Sequence, residues 1–154
     1  MRLILITRIY KCEACGRNFD ILALPEGTYG EFILYSQDGE MAYWNALTDP
    51  VFDEVGDVTK NLPALEFKSE INKSSAYLAI CGICCDRAKD GSVFQLRPIC
   101  PHCNSDRTTF IREPEPMESA TVEVPHVTHE HWSQLSTKER EQVLLSELAR
   151  KKLL

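Results

Sequence analysis

The chain has 154 residues, a hydrophobic content of 44% and a formal net charge of −6, which is enough for one ordinary domain with its own core and too little for two. A charged fraction of 26% with 7 glycines and 8 prolines excludes a collagen, a long coiled coil and wholesale disorder. The acidic balance disfavours nucleic-acid binding through the field of the whole molecule. The outstanding feature is seven cysteines, six of them in Cys-x-x-Cys pairs.

In chain order, Leu3 to Tyr10 is aliphatic, β-branched and aromatic and predicts a strand that delivers the chain to Cys12. Its apolar run, Leu3 to Ile6, is too short for the core of a signal peptide. No stretch approaches a membrane span, and an odd cysteine count fits poorly with closed disulfides. The expectation is a cytoplasmic, reducing compartment without membrane contact, where clustered thiols bind metal or react rather than cross-link. Phe19 to Leu24 predicts a return strand. Tyr29 to Ser36 and Glu40 to Trp44 flank Gln37-Asp38-Gly39, and Asp-Gly predicts a hairpin because both residues tolerate the turn's backbone. Asp49 reads as a helix N-cap with Pro50 at the first helical position, and Val51, Val55, Val58 and Leu62 recur at helical spacing, giving a helix over about 50–60.

Ala76 to Ile80 and Ser92 to Ile99 read as short strands feeding the second and third cysteine pairs, and Thr108 to Arg112 as another. Residues 113–131, with three prolines and five glutamates, have linker composition. Ser136 and Glu139 then form a capping box, Leu144, Leu145 and Leu148 an apolar stripe, and Arg150, Lys151 and Lys152 a cationic last turn. The expected architecture is α+β: a small antiparallel-sheet domain over 1–112 that carries the cysteine pairs, with an acidic insert at about 25–75, then the linker and a C-terminal helix over 132–154.

The three pairs are Cys12/Cys15, Cys81/Cys84 and Cys100/Cys103. Two intervening residues let a tight turn aim both sulfurs at one point, and two such turns face to face complete the tetrahedral sulfur shell that Zn2+ prefers. Buried apolar thiols would not repeat that spacing three times. The flanks YKCEACGRNF (10–19) and ICPHCNS (99–105) resemble the two halves of a zinc ribbon of the rubredoxin-like kind. In that family a glycine with positive φ follows the second cysteine, an aromatic packs on the knuckle, and proline often follows the first cysteine of the second half. The resemblance implies a structural zinc ion on Cys12, Cys15, Cys100 and Cys103. It departs in having Asn104 where glycine is usual, a mild change, and in the length between the halves. By spacing alone, Cys81 and Cys84 with Cys100 and Cys103 match a local zinc module better. A third arrangement has two ions on seven cysteines and one histidine, with His102 the nearest candidate. Cys85 reads as a packed thiol.

Dithiol redox chemistry needs a long helix after the pair to lower a thiol pKa, and none is predicted after these pairs. His126, His129 and His131 sit in the linker, where solvated rings are the simpler expectation. Zinc-protease, P-loop, dinucleotide-turn and nucleophile-elbow motifs are absent, so nothing points to an enzyme. Residues 21–60 carry one basic and eight acidic groups interleaved with Tyr29, Tyr35, Tyr43, Trp44 and Phe52. Acid mixed with aromatics suits an adaptor or inhibitor that covers a basic protein partner; the competing reading is that the aromatics are core and the acids a solvated face. The alternative function is nucleic-acid binding in transcription or RNA processing through the ribbon cations Arg8, Lys11, Arg17, Arg97, Arg107 and Arg112.

Overall fold

The N-terminal aliphatic run forms the longest strand, β1 (Arg2–Cys12), in a computed structural model that describes residues 1–154. β2 (Asn18–Ala23) returns antiparallel along it, with Tyr10 opposite Phe19. Ile6 faces Ala23 on one side and Ser119 on the other, so the second edge of β1 is shared by two later strands. β5 (Thr108–Arg112) pairs with its distal half, Ile9 to Cys12, and β6 (Ser119–Glu123) with its proximal half, Arg2 to Ile6. Thus part of 113–131, expected to be linker, is a strand of the main sheet. The reason composition hides it is that β6 is bound by backbone ladder bonds while four of its five side chains stay exposed.

The Asp38-Gly39 turn joins β3 (Glu31–Tyr35) to β4 (Met41–Asn45), with Gly39 at φ +84°. Period-two alternation splits this hairpin between two cores. Leu34, Ala42 and Trp44 face the helices, whereas Ile33, Tyr35 and Tyr43 face Leu5 and Val124 of the main sheet side. The hairpin is therefore a middle layer buried on both faces. Its edges are held by Gln95, bonded both ways to Tyr35 (2.8 and 3.0 Å), and by 125–127, bonded to Tyr43 (2.8 and 2.9 Å).

The Asp49 carboxylate caps α1 (Pro50–Lys60), accepting from the Val51 amide at 3.0 Å. α2 (Glu70–Ile80) starts at Ser69, whose hydroxyl accepts from Asn72. Ala76 to Ile80, expected to be a strand, is the end of this helix. Ser92 to Ile99, also expected to be a strand, is irregular apart from one β-bridge, from Gln95 to Tyr35. The short α3 (Glu130–Ser133) and the capping-box helix α4 (Thr137–Arg150) follow. The larger core takes Val55 from α1, Ala76, Tyr77 and Ile80 from α2, and Trp132, Leu144 and Leu148 from the C-terminal helices. The architecture is α+β, and no helix is long and apolar enough to cross a membrane. The chain between the two cysteine knuckles, 16–99, supplies 14 of the 17 residues of the larger core, of which the expected insert at about 25–75 gives six.

Candidate metal centre

β1 ends on Cys12, and the chain reverses through Glu13, Ala14 and Cys15 into β2. The Gly16 amide donates to the Cys12 carbonyl at 2.8 Å, and the Cys12 amide to Arg17 at 2.9 Å. The same two bonds recur in the second knuckle, from Asn104 to Cys100 and from Cys100 to Ser105, both at 2.9 Å. Gly16 at φ +77° and Asn104 at φ +62° occupy the same left-handed position, so asparagine does accept the conformation. The Glu13 amide, donating to the Arg107 carbonyl at 2.8 Å, and the β1–β5 ladder bring the knuckles face to face.

The four sulfurs of Cys12, Cys15, Cys100 and Cys103 then lie within 4.8 Å of one another. Cys12 Sγ is 3.5 Å from Cys103 Sγ, and Cys15 Sγ is 3.8 Å from Cys100 Sγ. A tetrahedron with metal–sulfur bonds of about 2.3 Å has edges of about 3.8 Å, so the cluster is sized for a metal ion. Turn amides point at the sulfurs, Cys15 N to Cys12 Sγ at 3.5 Å and His102 N to Cys100 Sγ at 3.4 Å. The Cys15 amide is the main reason that the Cys12 thiol titrates at about 6 instead of 9.0. Cys12 and Cys100 are buried with Phe19, while Cys15 and Cys103 stay exposed.

Cys81 and Cys84 do not join this cluster, which corrects the spacing-based alternative. They lie in a short 3-10 turn after α2, buried in the larger core, with thiols donating to Leu78 and Cys81 carbonyls. Their glycine has a packing role: a Cβ on Gly82 would sit 1.8 Å from the Phe94 carbonyl oxygen. His102 is exposed and belongs to no cluster of donors.

His129, expected to be a solvated linker residue, is instead half-buried. Its Nε2 lies 2.7 Å from Asp49 Oδ2 and its Nδ1 2.8 Å from the Cys84 carbonyl oxygen. Burial alone would push the ring's pKa down; the Cys85 sulfur, the Cys84 carbonyl and Asp49 outweigh it and raise the value to about 9. Burial likewise opposes ionisation of Asp49, yet hydrogen bonds from His129, Val51 and Trp44 hold it below the usual carboxylate range. The weak sequence signal for this arrangement was His129 itself, the middle histidine of a segment that looked too polar to fold.

Of the aromatics in the acidic block, Tyr35, Tyr43 and Trp44 are core, Phe52 packs against that core, and Tyr29 alone is largely exposed. Several acids are spent internally: Glu31 accepts from Tyr43, Asp49 from Trp44, Glu40 from the Lys89 amide, and Glu54 pairs with Arg140 at 2.5 Å. The core reading of the aromatics is the one that holds. On the side of the four-cysteine cluster, a cleft of about 1070 Å³ opens between β1, β5, α2 and the C-terminal tail. Lys68, Arg97, Lys151 and Lys152 line it beside Tyr10 and Phe110, whose rings meet edge-on at 5.8 Å.

No protein-family model, curated protein or solved structure matches this chain.

Proposed function

We propose that Cys12, Cys15, Cys100 and Cys103 hold one structural zinc ion and that the chain is a non-enzymatic binding module. The observation that carries this reading is the pair of matching turns that sets four sulfurs at tetrahedral spacing. A closed four-thiolate shell leaves zinc no position for water or substrate, so the ion stabilises the fold and does no chemistry. Cys12→Ser and Cys100→Ser are each expected to lose one zinc per chain in elemental analysis, and Cys81→Ser none. Retention of that ion in Cys12→Ser would overturn the assignment.

The function then resides on a surface, and the cleft beside the ribbon favours single-stranded nucleic acid. Its cations Lys68, Arg97 and Lys152 suit phosphates, and the half-exposed Phe110 beside Tyr10 offers bases a stacking platform. The −6 balance limits non-specific affinity, so recognition rests on this one face. Labelled oligouridylate is expected to bind in a polarisation assay at low salt and to dissociate as salt rises. Removing two phosphate contacts, in Arg97→Ala with Lys152→Ala, should flatten the logarithmic salt slope by roughly 1–2. Binding that is absent at low salt, or unmoved by these changes, defeats the reading.

A basic protein partner is the second reading, on a surface narrower than the whole 21–60 block. What favours it is that Asp53 and Asp57, one turn apart on α1, are exposed and free of ion pairs. Labelled oligolysine in the same assay separates the two: binding lost in Asp53→Asn with Asp57→Asn selects this reading.

A further inference from the structure

Cys84 and Cys85, in the turn after α2, and His129, near the end of the former linker, each offer a donor atom, and the three atoms lie within 4.8 Å of one another. None belongs to the ribbon cluster. The two cysteines are 1% and 7% exposed, so the thiols already sit away from water.

The histidine is aimed by its surroundings. Asp49 Oδ2 accepts from Nε2 at 2.7 Å, and Asp49 is itself fixed by Trp44 Nε1 at 2.9 Å and the Val51 amide at 3.0 Å. A carboxylate behind one ring nitrogen is how proteins orient an imidazole whose other nitrogen binds metal. That other nitrogen, Nδ1, is on the Cys84 side of the ring, where it donates to the Cys84 carbonyl at 2.8 Å, a hydrogen bond that a metal ion would replace. The segment bearing His129 is clamped as well. Asp86, the next residue after Cys85, accepts from the Thr128 hydroxyl at 2.5 Å and from the Glu130 and His131 amides at 3.0 Å each. Donors that are 44 residues apart in sequence are therefore pre-positioned by a second layer of polar contacts, as metal ligands are.

The geometry points to a second, buried metal site in which Cys84 Sγ, Cys85 Sγ and His129 Nδ1 bind a thiophilic ion, with Asp49 as positioning residue. Two thiolates and an imidazole select Cu(I) or Zn2+ and reject magnesium and calcium. Three protein donors complete a trigonal Cu(I) shell, whereas zinc would take one further non-protein ligand. Asp49 cannot supply it, because its carboxylate occupies the opposite side of the ring. On binding, both thiol protons and the Nδ1 proton leave to solvent, the hydrogen bonds from Nδ1 to the Cys84 carbonyl and from the Cys84 thiol to the Cys81 carbonyl break, and the ion takes the protons' place.

The test uses the full chain under reducing conditions, with native mass spectrometry as the count. One arm supplies Zn2+ alone; the other gives Cu(I) to the zinc-loaded chain against a chromogenic Cu(I) chelator. The expected result is one ion, in one of the two arms, beyond the ion on the ribbon cysteines. That extra ion should be lost in Cys85→Ser and His129→Ala and kept in Cys12→Ser. No extra ion in either arm overturns the site, as does an extra ion that both variants retain. Should those variants fail to fold, X-ray absorption decides, at the copper edge of the wild type or the zinc edge of Cys12→Ser. Two sulfurs with nitrogen sustains the site and an all-sulfur shell overturns it.

Discussion

If the four cysteines hold the proposed ion, replacing Cys100 with serine is expected to lower the melting temperature by roughly 8–16 °C and to release the two knuckles while leaving the helical core protected. The size follows from mass action: an ion held at a thousand times its Kd contributes about 4 kcal/mol, and a chain of this length loses about 2–4 °C per kcal/mol. The locality follows from packing. The cluster around the knuckles has only three buried residues, Cys12, Phe19 and Cys100, and two of them are proposed ligands. Without the ion, the 98–107 loop is held by the Glu13–Arg107 hydrogen bond, the Lys151–Asp106 ion pair and the β5 ladder that follows it, with little apolar burial behind them. The main core has 17 buried residues and takes none from the ribbon knuckles. Amide hydrogen exchange should therefore lose protection in Cys12–Phe19 and Thr108–Arg112 and keep it in α1, α2 and α4. Unchanged melting, or protection lost equally from all helices, would remove the proposed metal ion from the account of stability.

How much of this was legible depends on whether the signal is local. The Asp49-Pro50 start, the Asp38-Gly39 turn and the Ser136–Glu139 capping box are each written within a few residues, and each is present in the fold. The knuckles are also local, so each turn could be read even though their pairing could not. α2 was missed because Ile71 and Leu78 are exposed on its outer face, at 78% and 42%, which breaks the one-sided apolar pattern that marks a helix. The acidic block left two readings open for a related reason. A hairpin buried on both faces needs apolar residues at successive positions, so Tyr35, Tyr43 and Trp44 looked like surplus aromatics when they are fillers of two cores. β6 and the Asp49–His129–Cys84 contacts depend on partners more than 40 residues away, and no local pattern records them.

The segment after 131, which sequence composition sets apart as a tethered helix, is expected to be indispensable. Trp132, Leu144 and Leu148 are all within the main core, at 2%, 0% and 0% exposure. Lys151 adds a clasp, donating to the Ala79 carbonyl at 2.8 Å and Gln95 Oε1 at 2.6 Å beside Asp106 at 3.4 Å, and so ties the tail to α2 and the 98–107 loop. Truncating a buried leucine costs about 2–5 kcal/mol and a tryptophan about 3–5, so the three together forfeit at least about 7 kcal/mol. Net stability is only about 5–15 kcal/mol, and cutting the chain after His131 also bares the α1 and α2 faces that these residues cover. The 1–131 fragment should lose its cooperative urea transition and bind a hydrophobic dye. Leu148→Ala in the full chain gives the graded version, with the transition kept and its midpoint lowered by about 2–5 kcal/mol divided by the urea slope. A helix on a free tether would make both changes nearly silent, so an unshifted midpoint in Leu148→Ala together with a cooperatively folding 1–131 fragment would mean that the tail does not dock in solution.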